Sequence, residues 1–400
     1  MNPHVLIIGA GFAGVWSALS AARLLDQAKR DDVRVSVLAP QPELRIRPRF
    51  YESDVHGMKA PLGALFEAVG VTFIKGQAHG IDADARTVRY TDADGQPRQI
   101  GYDRLILAAG SQVARPAVPG LAEHTFDVDQ MESAMVLERH LVDLANQPAS
   151  PARNTVVVCG GGFTGIETAT EMPARLRAIL GQDAPVRVIV VDRGPSIGAA
   201  LGAGIIPAIV EACEQAGVEW LSGTSVVAVD AGGVTLDNGE YIASKTVIWT
   251  VGVKASPLTA QVPGERDGFG RLRVDEHLKV AGQAHIYATG DVAWAAVDDL
   301  GNHALMTCQH AIPMGRHSGN NAVADLLGLA PVMYRQPKYV TCLDLGGWGA
   351  AFSEGWEREL KLQGQEGKNL KRQINSVWIY PPAADRAQAL SAADPLIPIV

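Results

Sequence analysis

The sequence lacks two features that would point to common classes of protein. Four cysteines, at positions 159, 213, 308 and 342, are spread over 400 residues and none are close together. Secreted domains held by disulfides need denser spacing, so that class is excluded and a reducing cytoplasm is the expected location. Basic residues are not in excess, since 35 Lys and Arg against 43 Asp and Glu give a net charge of −8. Nucleic-acid binders present a basic surface, so no nucleic-acid partner is expected.

Long apolar runs are also scarce. Only the stretch 5–22, free of charged residues, approaches the length of a membrane span. Gly9, Gly11 and Gly14 stand near its start, and no basic residue precedes it, as a signal peptide would require. We therefore interpret it as a strand, a tight turn and a helix. At 47% hydrophobic and 20% charged residues, the chain can bury the cores of two or three domains.

What is present in excess is glycine, and it is clustered. A strand predicted at 4–8 leads into Gly9-Ala10-Gly11-Phe12-Ala13-Gly14, followed by a helix to about Lys29 and a strand at 33–38. In such a turn the first glycine permits the tight bend and the second lets the backbone approach a pyrophosphate. The third lets the helix pack close to the strand. The pattern predicts a dinucleotide site.

A second unit of the same design follows about 150 residues later. A strand at 155–159 leads into Gly160-Gly161-Gly162-Phe163-Thr164-Gly165, then a helix and a strand at 186–191. Each unit continues with a predicted hairpin and an apolar strand that ends in glycine, at Ala109-Gly110 and at Gly252. The fold prediction is therefore α/β, with two Rossmann-like dinucleotide-binding domains and a small C-terminal α+β region. The first domain is expected to comprise residues 1–120 and 256–333, the second residues 121–255, and the C-terminal region residues 334–400.

The residue after the second strand of each unit should contact the adenosine ribose. In the second unit this residue is Asp192, whose charge would repel a 2′-phosphate, so NADH is favoured; the adjacent Arg193 keeps NADPH as an alternative. In the first unit the corresponding residues are Ala39 and Pro40, and Glu43 is the nearest acid.

A further strand is predicted at 286–288 and leads to Thr289-Gly290-Asp291. Together with the two glycine turns, this segment makes the chain resemble the two-dinucleotide-binding-domain flavoproteins, the pyridine nucleotide-disulfide oxidoreductase superfamily. The resemblance implies FAD in the first unit and NADH, with NADPH as the alternative, in the second. It also implies that Asp291 contacts the ribityl group of FAD. Arg47, Arg49 and Tyr51 are expected where the polypeptide runs towards the flavin ring. The residues expected to bind FAD are Gly9, Gly11, Phe12, Ala13, Gly14, Arg47, Ala109, Gly110, Gly290 and Asp291. Those expected to bind the nicotinamide nucleotide are Gly160, Gly162, Gly165, Asp192 and Gly252.

Members of this superfamily that reduce disulfides carry a close cysteine pair, which this chain lacks. Among branches without one it resembles the type II NADH dehydrogenases most, through residues 161–167, 307–315 and 344–351. The resemblance implies electron transfer from NADH through FAD to a quinone or a quinone-like aromatic, with Glu167 near the nicotinamide carboxamide and Gln309 in the quinone segment. Pro313 and Met314 replace the glutamine pair of that segment, so the acceptor need not be an ordinary respiratory quinone.

Three further hypotheses accompany this interpretation. His310 could relay a proton to the reduced acceptor, because imidazole titrates near neutral pH, or could simply pack within a helix. The basic segment 361–380 could form a surface helix or a peripheral contact with the inner face of a membrane; the apolar end, 395–400, holds two prolines and would make a poor helix. A homodimer is left open. Two other functions compete: a sulfide:quinone oxidoreductase, which needs cysteines at the flavin, and a non-respiratory NAD(P)H signalling flavoprotein of the apoptosis-inducing-factor type.

Overall fold

The computed structural model describes residues 2–398 of the chain. Its largest sheet has seven strands, of which the first five in spatial order pair in parallel and the last two are added by antiparallel pairing. Apolar residues fill both faces of the central strand, as expected for a parallel sheet covered on both sides. In spatial order the strands are Ile286–Ala288, Arg104–Leu107, His4–Ile8, Arg34–Ala39, Thr72–Asp82, Thr87–Asp92 and Pro97–Gly101.

Two helices pack closely beside this sheet, the first helix, Phe12–Gln27, and the late helix, Cys308–Leu327. Gly315 and Gly319 permit this approach, because a Cβ on them would lie 2.5 Å from the Ala13 carbonyl oxygen and 2.1 Å from that of Ser17. Neither these nor the other helices of residues 2–398 combine the length and the apolar character needed to cross a bilayer. The same half of the molecule contains the strands Glu43–Arg45, Lys59–Pro61, Leu272–Arg273 and Ala293–Trp294 and the helix Gly63–Val69.

A second parallel sheet has the order Val218–Ser222, Arg187–Asp192, Thr155–Cys159 and Thr246–Trp249. A three-stranded antiparallel sheet accompanies it, made of Val226–Asp230, Gly233–Leu236 and Tyr241–Ala243. The helices around these sheets are Leu121–His124, Met131–Asp143, Phe163–Leu180 and Ile206–Ala216. The prediction of an α/β chain with two Rossmann-like units is confirmed. The four segment boundaries stay a prediction.

The two halves are joined by an antiparallel pair of short strands, Ser111–Val113 and Val253–Ala255. The C-terminal region is α+β, as predicted. Its antiparallel sheet comprises Val340–Asp344, Ala350–Glu354 and Glu359–Leu362, followed by the helix Gly364–Gln373, a π-helical turn, Ile374–Trp378, and the helix Arg386–Ala392. Of the apolar end segment 395–400, residues 399 and 400 lie outside the described residues.

Candidate active site at the two nucleotide cradles

The first glycine turn forms an open cradle at the start of a helix. Gly9 has a φ of +109°, and a Cβ there would lie 2.3 Å from the Ala108 carbonyl oxygen. A Cβ on Gly14 would lie 1.9 Å from the Gly9 carbonyl oxygen, so both glycines are required by the backbone. Gly11 instead faces open space, and no side chain of residues 2–398 caps the helix that begins at Phe12. The free amides at this helix N-terminus can therefore receive a pyrophosphate.

The second glycine turn repeats this geometry. Gly160 has a φ of +106°, and a Cβ on Gly165 would lie 1.9 Å from the Gly160 carbonyl oxygen. Gly162 faces open space, and in the described part of the chain the helix that begins at Phe163 has no side-chain cap. The molecule thus contains two cradles that can each hold a dinucleotide.

Asp192 closes one end of the second cradle. Its carboxylate accepts hydrogen bonds from the Gly161 and Gly194 amides, each 2.7 Å long. The neighbouring Arg193 side chain is exposed. These bonds fix the carboxylate at the end of the second strand, where the ribose contact was predicted.

Arg47 and Asp291 come together beside the first cradle. The Ser111 hydroxyl donates to Asp291 Oδ2 over 2.6 Å, and Arg47 Nη1 donates to the Ser111 Oγ over 2.8 Å. Arg47 also pairs with Asp129 and lies 3.4 Å from Asp291 Oδ2. Gly290 packs against the start of the first helix, since a Cβ on it would lie 2.8 Å from the Ala13 Cβ. Ser111 and Asp129 were not predicted, because both lie far in sequence from Arg47 and Asp291 and only the fold brings them together.

Glu167 lies one turn into the second cradle's helix and is buried. Its Oε1 accepts hydrogen bonds from Lys371 Nζ at 2.7 Å and from the Asp344 amide at 3.0 Å. Burial raises the pKa of Glu167, and the nearby Lys371 only partly opposes this. Burial acts against the charge on Lys371, but the Glu167 carboxylate outweighs it and the pKa of Lys371 is raised. The two groups therefore share one proton across a buried hydrogen bond.

This ion pair belongs to a wider buried network. Lys368 Nζ donates to Asp344 Oδ1 over 2.5 Å, and Lys371 also donates to the Cys342 carbonyl oxygen. The Tyr51 hydroxyl is buried without a hydrogen-bond partner within residues 2–398, and burial raises its pKa well above the usual value. The basic segment, predicted as a surface or membrane-facing helix, thus directs two of its lysines inward. Lys371 was missed because only the fold shows which lysines of that segment face Glu167.

Gln309 stands in the first turn of the late helix, directly after its first residue, Cys308. Its side-chain Oε1 is buried and has no hydrogen-bond partner in the part of the chain that the structure describes. A buried amide oxygen without a partner costs free energy, so it fits a place where a ligand completes the site. The resemblance of its segment predicts Gln309 at the acceptor, and this role stays a prediction.

His310 is fully buried and stacks on Tyr339, with ring centroids 5.5 Å apart. Burial, with a smaller effect of Arg271, lowers the pKa of His310 to about 4. Its Nδ1 lies 3.0 Å from the Thr307 Oγ1. The imidazole is therefore neutral at physiological pH, and its proposed role as a relay stays a prediction.

The remaining predicted cofactor residues occupy strand ends. Ala109 and Gly110 follow the strand Arg104–Leu107, and Gly110 accepts a hydrogen bond from the Ser256 amide. Gly252, with a φ of +74°, accepts one from the Ala114 amide, so it stands at the connection between the two halves. A cofactor contact of Gly252 stays a prediction.

The paired cradles, each at the carboxyl ends of a parallel sheet, define a two-dinucleotide-domain oxidoreductase. The chain belongs to the pyridine nucleotide-disulphide oxidoreductase family, whose model matches residues 3–315. The cofactors predicted for this chain, FAD and NADH, are those of the family, and the open cradles at Gly11 and Gly162 fit them.

Individual proteins support the same assignment. The chain is 46% identical over 399 residues to an NADH dehydrogenase-like protein of Mycobacterium tuberculosis, covering 98% of each chain. It is 28% identical to the demethylphylloquinone reductase NdbB of Synechocystis, over 88% of this chain and 87% of that protein. Its fold matches that of NDH2 from Plasmodium falciparum, solved with NADH, with a TM-score of 0.79 and 12% identity over 98% of each chain.

Proposed function

We propose that this protein oxidises NADH and passes the electrons through FAD to a quinone or a quinone-like aromatic. The observation that carries the proposal is the buried pair of Glu167 and Lys371, which joins the helix of the second cradle to the C-terminal region. The demethylphylloquinone reductase of Synechocystis, a relative over most of the chain, supports a quinone as the acceptor.

The two cradles assign the cofactors to different residues. Gly9, Gly11 and Gly14 would hold the FAD pyrophosphate, and Asp291, positioned by Ser111 and Arg47, would accept hydrogen bonds from its ribityl hydroxyls. Gly160, Gly162 and Gly165 would hold the NADH pyrophosphate, with Asp192 at the ribose. When bound, FAD supplies a carrier that takes two electrons from NADH and yields them to the acceptor.

Reduction of a quinone to a quinol by NADH consumes one proton in addition to the hydride. Lys371 Nζ and Glu167 Oε1, 2.7 Å apart, are buried and hold a proton between them. We assign the delivery of this proton to the pair. Because the pKa of His310 is about 4, its imidazole is neutral at neutral pH and does not carry the extra proton that the quinone needs.

Gln309 would orient the acceptor or the flavin through its unpartnered Oε1. The glutamine pair of the related segment is replaced here by Pro313 and Met314, and both side chains are buried. These two residues therefore supply apolar packing where the pair would offer hydrogen bonds. We therefore expect the acceptor to be an aromatic ring with few polar substituents.

Dithiol or sulfide chemistry does not suit the four cysteines. All are free thiols. Burial raises the pKa of Cys159 and Cys213 to about 12 and that of Cys308 and Cys342 to about 11. The thiolate is the reactive form, so these thiols are poor nucleophiles at neutral pH. This supports direct transfer to the acceptor over the sulfide:quinone alternative.

A peripheral membrane contact is part of the proposal. Val377 and Trp378 are 61% and 51% exposed, and the exposed Arg372 lies on the preceding helix. Apolar side chains beside a cation are typical of surfaces that lie on anionic lipid. Sedimentation with anionic vesicles, compared with a Val377→Ser/Trp378→Ser variant, tests this contact. A homodimer stays a prediction.

The test of the function follows the flavin absorbance under anaerobic conditions. NADH should bleach the oxidised protein quickly, and a short-chain quinone should restore the colour quickly. Bleaching without recovery would exclude quinones, and slow turnover with every acceptor would favour the signalling flavoprotein. Bleaching by sulfide but not by NADH would overturn the proposal.

A further inference from the structure

Arg358, on the connection between the last two strands of the C-terminal sheet, reaches across to the second cradle. Its guanidinium carbon lies 4.9 Å from the centroid of the Phe163 ring. Phe163 is the first residue of the helix that follows the cradle's glycines. A residue of the C-terminal region therefore places a positive charge at the helix end that receives a nucleotide.

The surrounding backbone is shaped to hold Arg358 in place. Arg358 has a φ of +55°, which is uncommon for a residue other than glycine. A Cβ on Gly204 would lie 2.1 Å from the Arg358 carbonyl oxygen, and one on Gly202 would lie 3.2 Å from its Cδ. Nη1 donates to the Leu201 carbonyl oxygen over 2.5 Å. Residues 201–204, in the loop after the strand Arg187–Asp192, thus pack closely against Arg358.

The charge of Arg358 has no carboxylate partner. Within residues 2–398, no Asp or Glu oxygen lies within 4.0 Å of the guanidinium. The guanidinium faces the rings of Phe163 and, at 5.9 Å from the centroid, of Tyr339. Phe163 begins a helix whose N-terminus carries a partial positive charge of its own. An anion bound at the start of this helix would therefore be attracted both by the helix N-terminus and by the guanidinium.

We propose that Arg358 binds the pyrophosphate of the pyridine nucleotide in the second cradle. The inference rests on the proposed NADH activity and adds a binding residue from outside the nucleotide domain. A guanidinium that lies over a ring keeps N–H groups available at its own edge, and these match phosphate oxygens. Arg193, adjacent to Asp192, is instead the cation at the ribose end, so Arg358 is not assigned to a 2′-phosphate.

The experiment measures binding of NAD⁺ and of ADP-ribose to the FAD-loaded protein by calorimetry, without electron transfer. Arg358→Gln should weaken both ligands about tenfold to a hundredfold, because hydrogen bonds to charged groups contribute on that scale. Arg358→Lys should recover part of the loss, since it keeps the charge but not the planar fork. Added salt should weaken wild-type binding more than that of Arg358→Gln.

Lys361→Gln is the matched control. Lys361 is exposed on the last strand of the same sheet and pairs with Glu359, so its loss removes one positive charge three residues away. The affinity of the Lys361→Gln variant for NAD⁺ should stay within about twofold of wild type, because an exposed ion pair contributes little. Flavin content and the melting temperature report whether each variant is folded. If Arg358→Gln is not folded, Arg358→Lys with the salt series carries the test alone.

Three outcomes would overturn the inference. The first is unchanged affinity of Arg358→Gln for both NAD⁺ and ADP-ribose. The second is an equal loss of affinity in Lys361→Gln. The third is equal salt dependence of NAD⁺ binding in the wild type and in Arg358→Gln. Failure of the wild-type protein to bind NAD⁺ would instead contradict the proposed function.

Discussion

Lys371 Nζ donates a 2.7 Å hydrogen bond to Oε1 of Glu167, which lies 204 residues earlier in the chain. Both side chains are buried, and the Asp344 amide completes the coordination of the carboxylate. A buried pair of this kind is costly to break on one side, because the remaining charge loses its partner. The C-terminal region is thus attached to the helix of the second cradle at the point where we place proton transfer.

Replacement of Glu167 by Gln should separate the two half-reactions. The amide keeps the shape and a hydrogen bond to Lys371, but it cannot hold the proton. NADH should still bleach the flavin at nearly the wild-type rate, while reoxidation by quinone should slow about a hundredfold, a common effect of losing a general acid or base. Stopped-flow absorbance measures the two steps separately.

Glu171→Gln is the matched control for that experiment. Glu171 lies one turn further along the same helix, and burial raises its pKa too, but it forms no ion pair within residues 2–398. Its replacement should leave quinone reoxidation within about threefold of wild type. Equal slowing in both variants would indicate a general electrostatic effect and contradict the assignment to Glu167.

His310 should make the protein less stable in acid. Its pKa is about 4 in the folded state and 6.5 in the unfolded chain, so the unfolded state binds more protons between these values. The free energy of unfolding should therefore fall as the pH drops from 6.5 to about 4. The full effect would be about 3 kcal/mol, since one pKa unit corresponds to about 1.4 kcal/mol.

Urea denaturation at a series of pH values tests this linkage. His310→Phe keeps a stacking ring on Tyr339 but cannot be protonated, so its curve should be flatter in this range. His79→Gln, which alters an exposed side chain, should keep the wild-type slope. A His310→Phe curve parallel to that of wild type would show that other groups cause the acid sensitivity.

The elements around the cradles could be predicted from the sequence because their signals are local. The strand His4–Ile8 and the glycine turn after it have the predicted bounds, and so does the strand Thr155–Cys159. Apolar runs and glycines with a required φ act within a few residues. The predicted end of the first helix was two residues too late, since the helix ends at Gln27. Helix ends fray, so such differences are expected.

The site itself was predictable only in part. Glu167 and Gln309 are recognisable from their segments, but the partner of Glu167 depends on how the C-terminal region folds back over the second cradle. Lys368 and Lys371 were read as part of a basic surface, because charge content alone favours exposure. Spacing of three residues places both on one helix face, but which face is buried is decided by tertiary contacts.

Gly11→Ala should weaken FAD binding without harming the fold. Gly11 faces open space and its φ is −75°, so a methyl group fits the protein itself but would stand where the pyrophosphate approaches the helix amides. We expect normal thermal unfolding of the apoprotein and at least about tenfold weaker FAD binding, measured by flavin fluorescence. Gly14→Ala should instead fail to fold, since its Cβ would lie 1.9 Å from a carbonyl oxygen.

Gly63→Ala controls for an added methyl group at a helix start. Gly63 begins a helix in the same half of the molecule and also faces open space, but it is not part of either cradle. Its FAD affinity should equal that of wild type. If Gly11→Ala binds FAD as tightly as Gly63→Ala does, the first cradle is not the pyrophosphate site.

Asp192→Asn should reduce the preference for NADH over NADPH. The carboxylate is fixed by the Gly161 and Gly194 amides, so its negative charge stays at the ribose end of the second cradle. The amide variant keeps one acceptor oxygen but removes the charge that repels a 2′-phosphate, and the exposed Arg193 then attracts it. The ratio of kcat/KM for NADH to that for NADPH should fall at least about tenfold.

Asp183→Asn, which alters an exposed residue outside both cradles, should leave the ratio unchanged. A ratio that stays constant in Asp192→Asn would place the ribose contact elsewhere, because a charge beside the 2′ position cannot be removed without affecting a phosphate there.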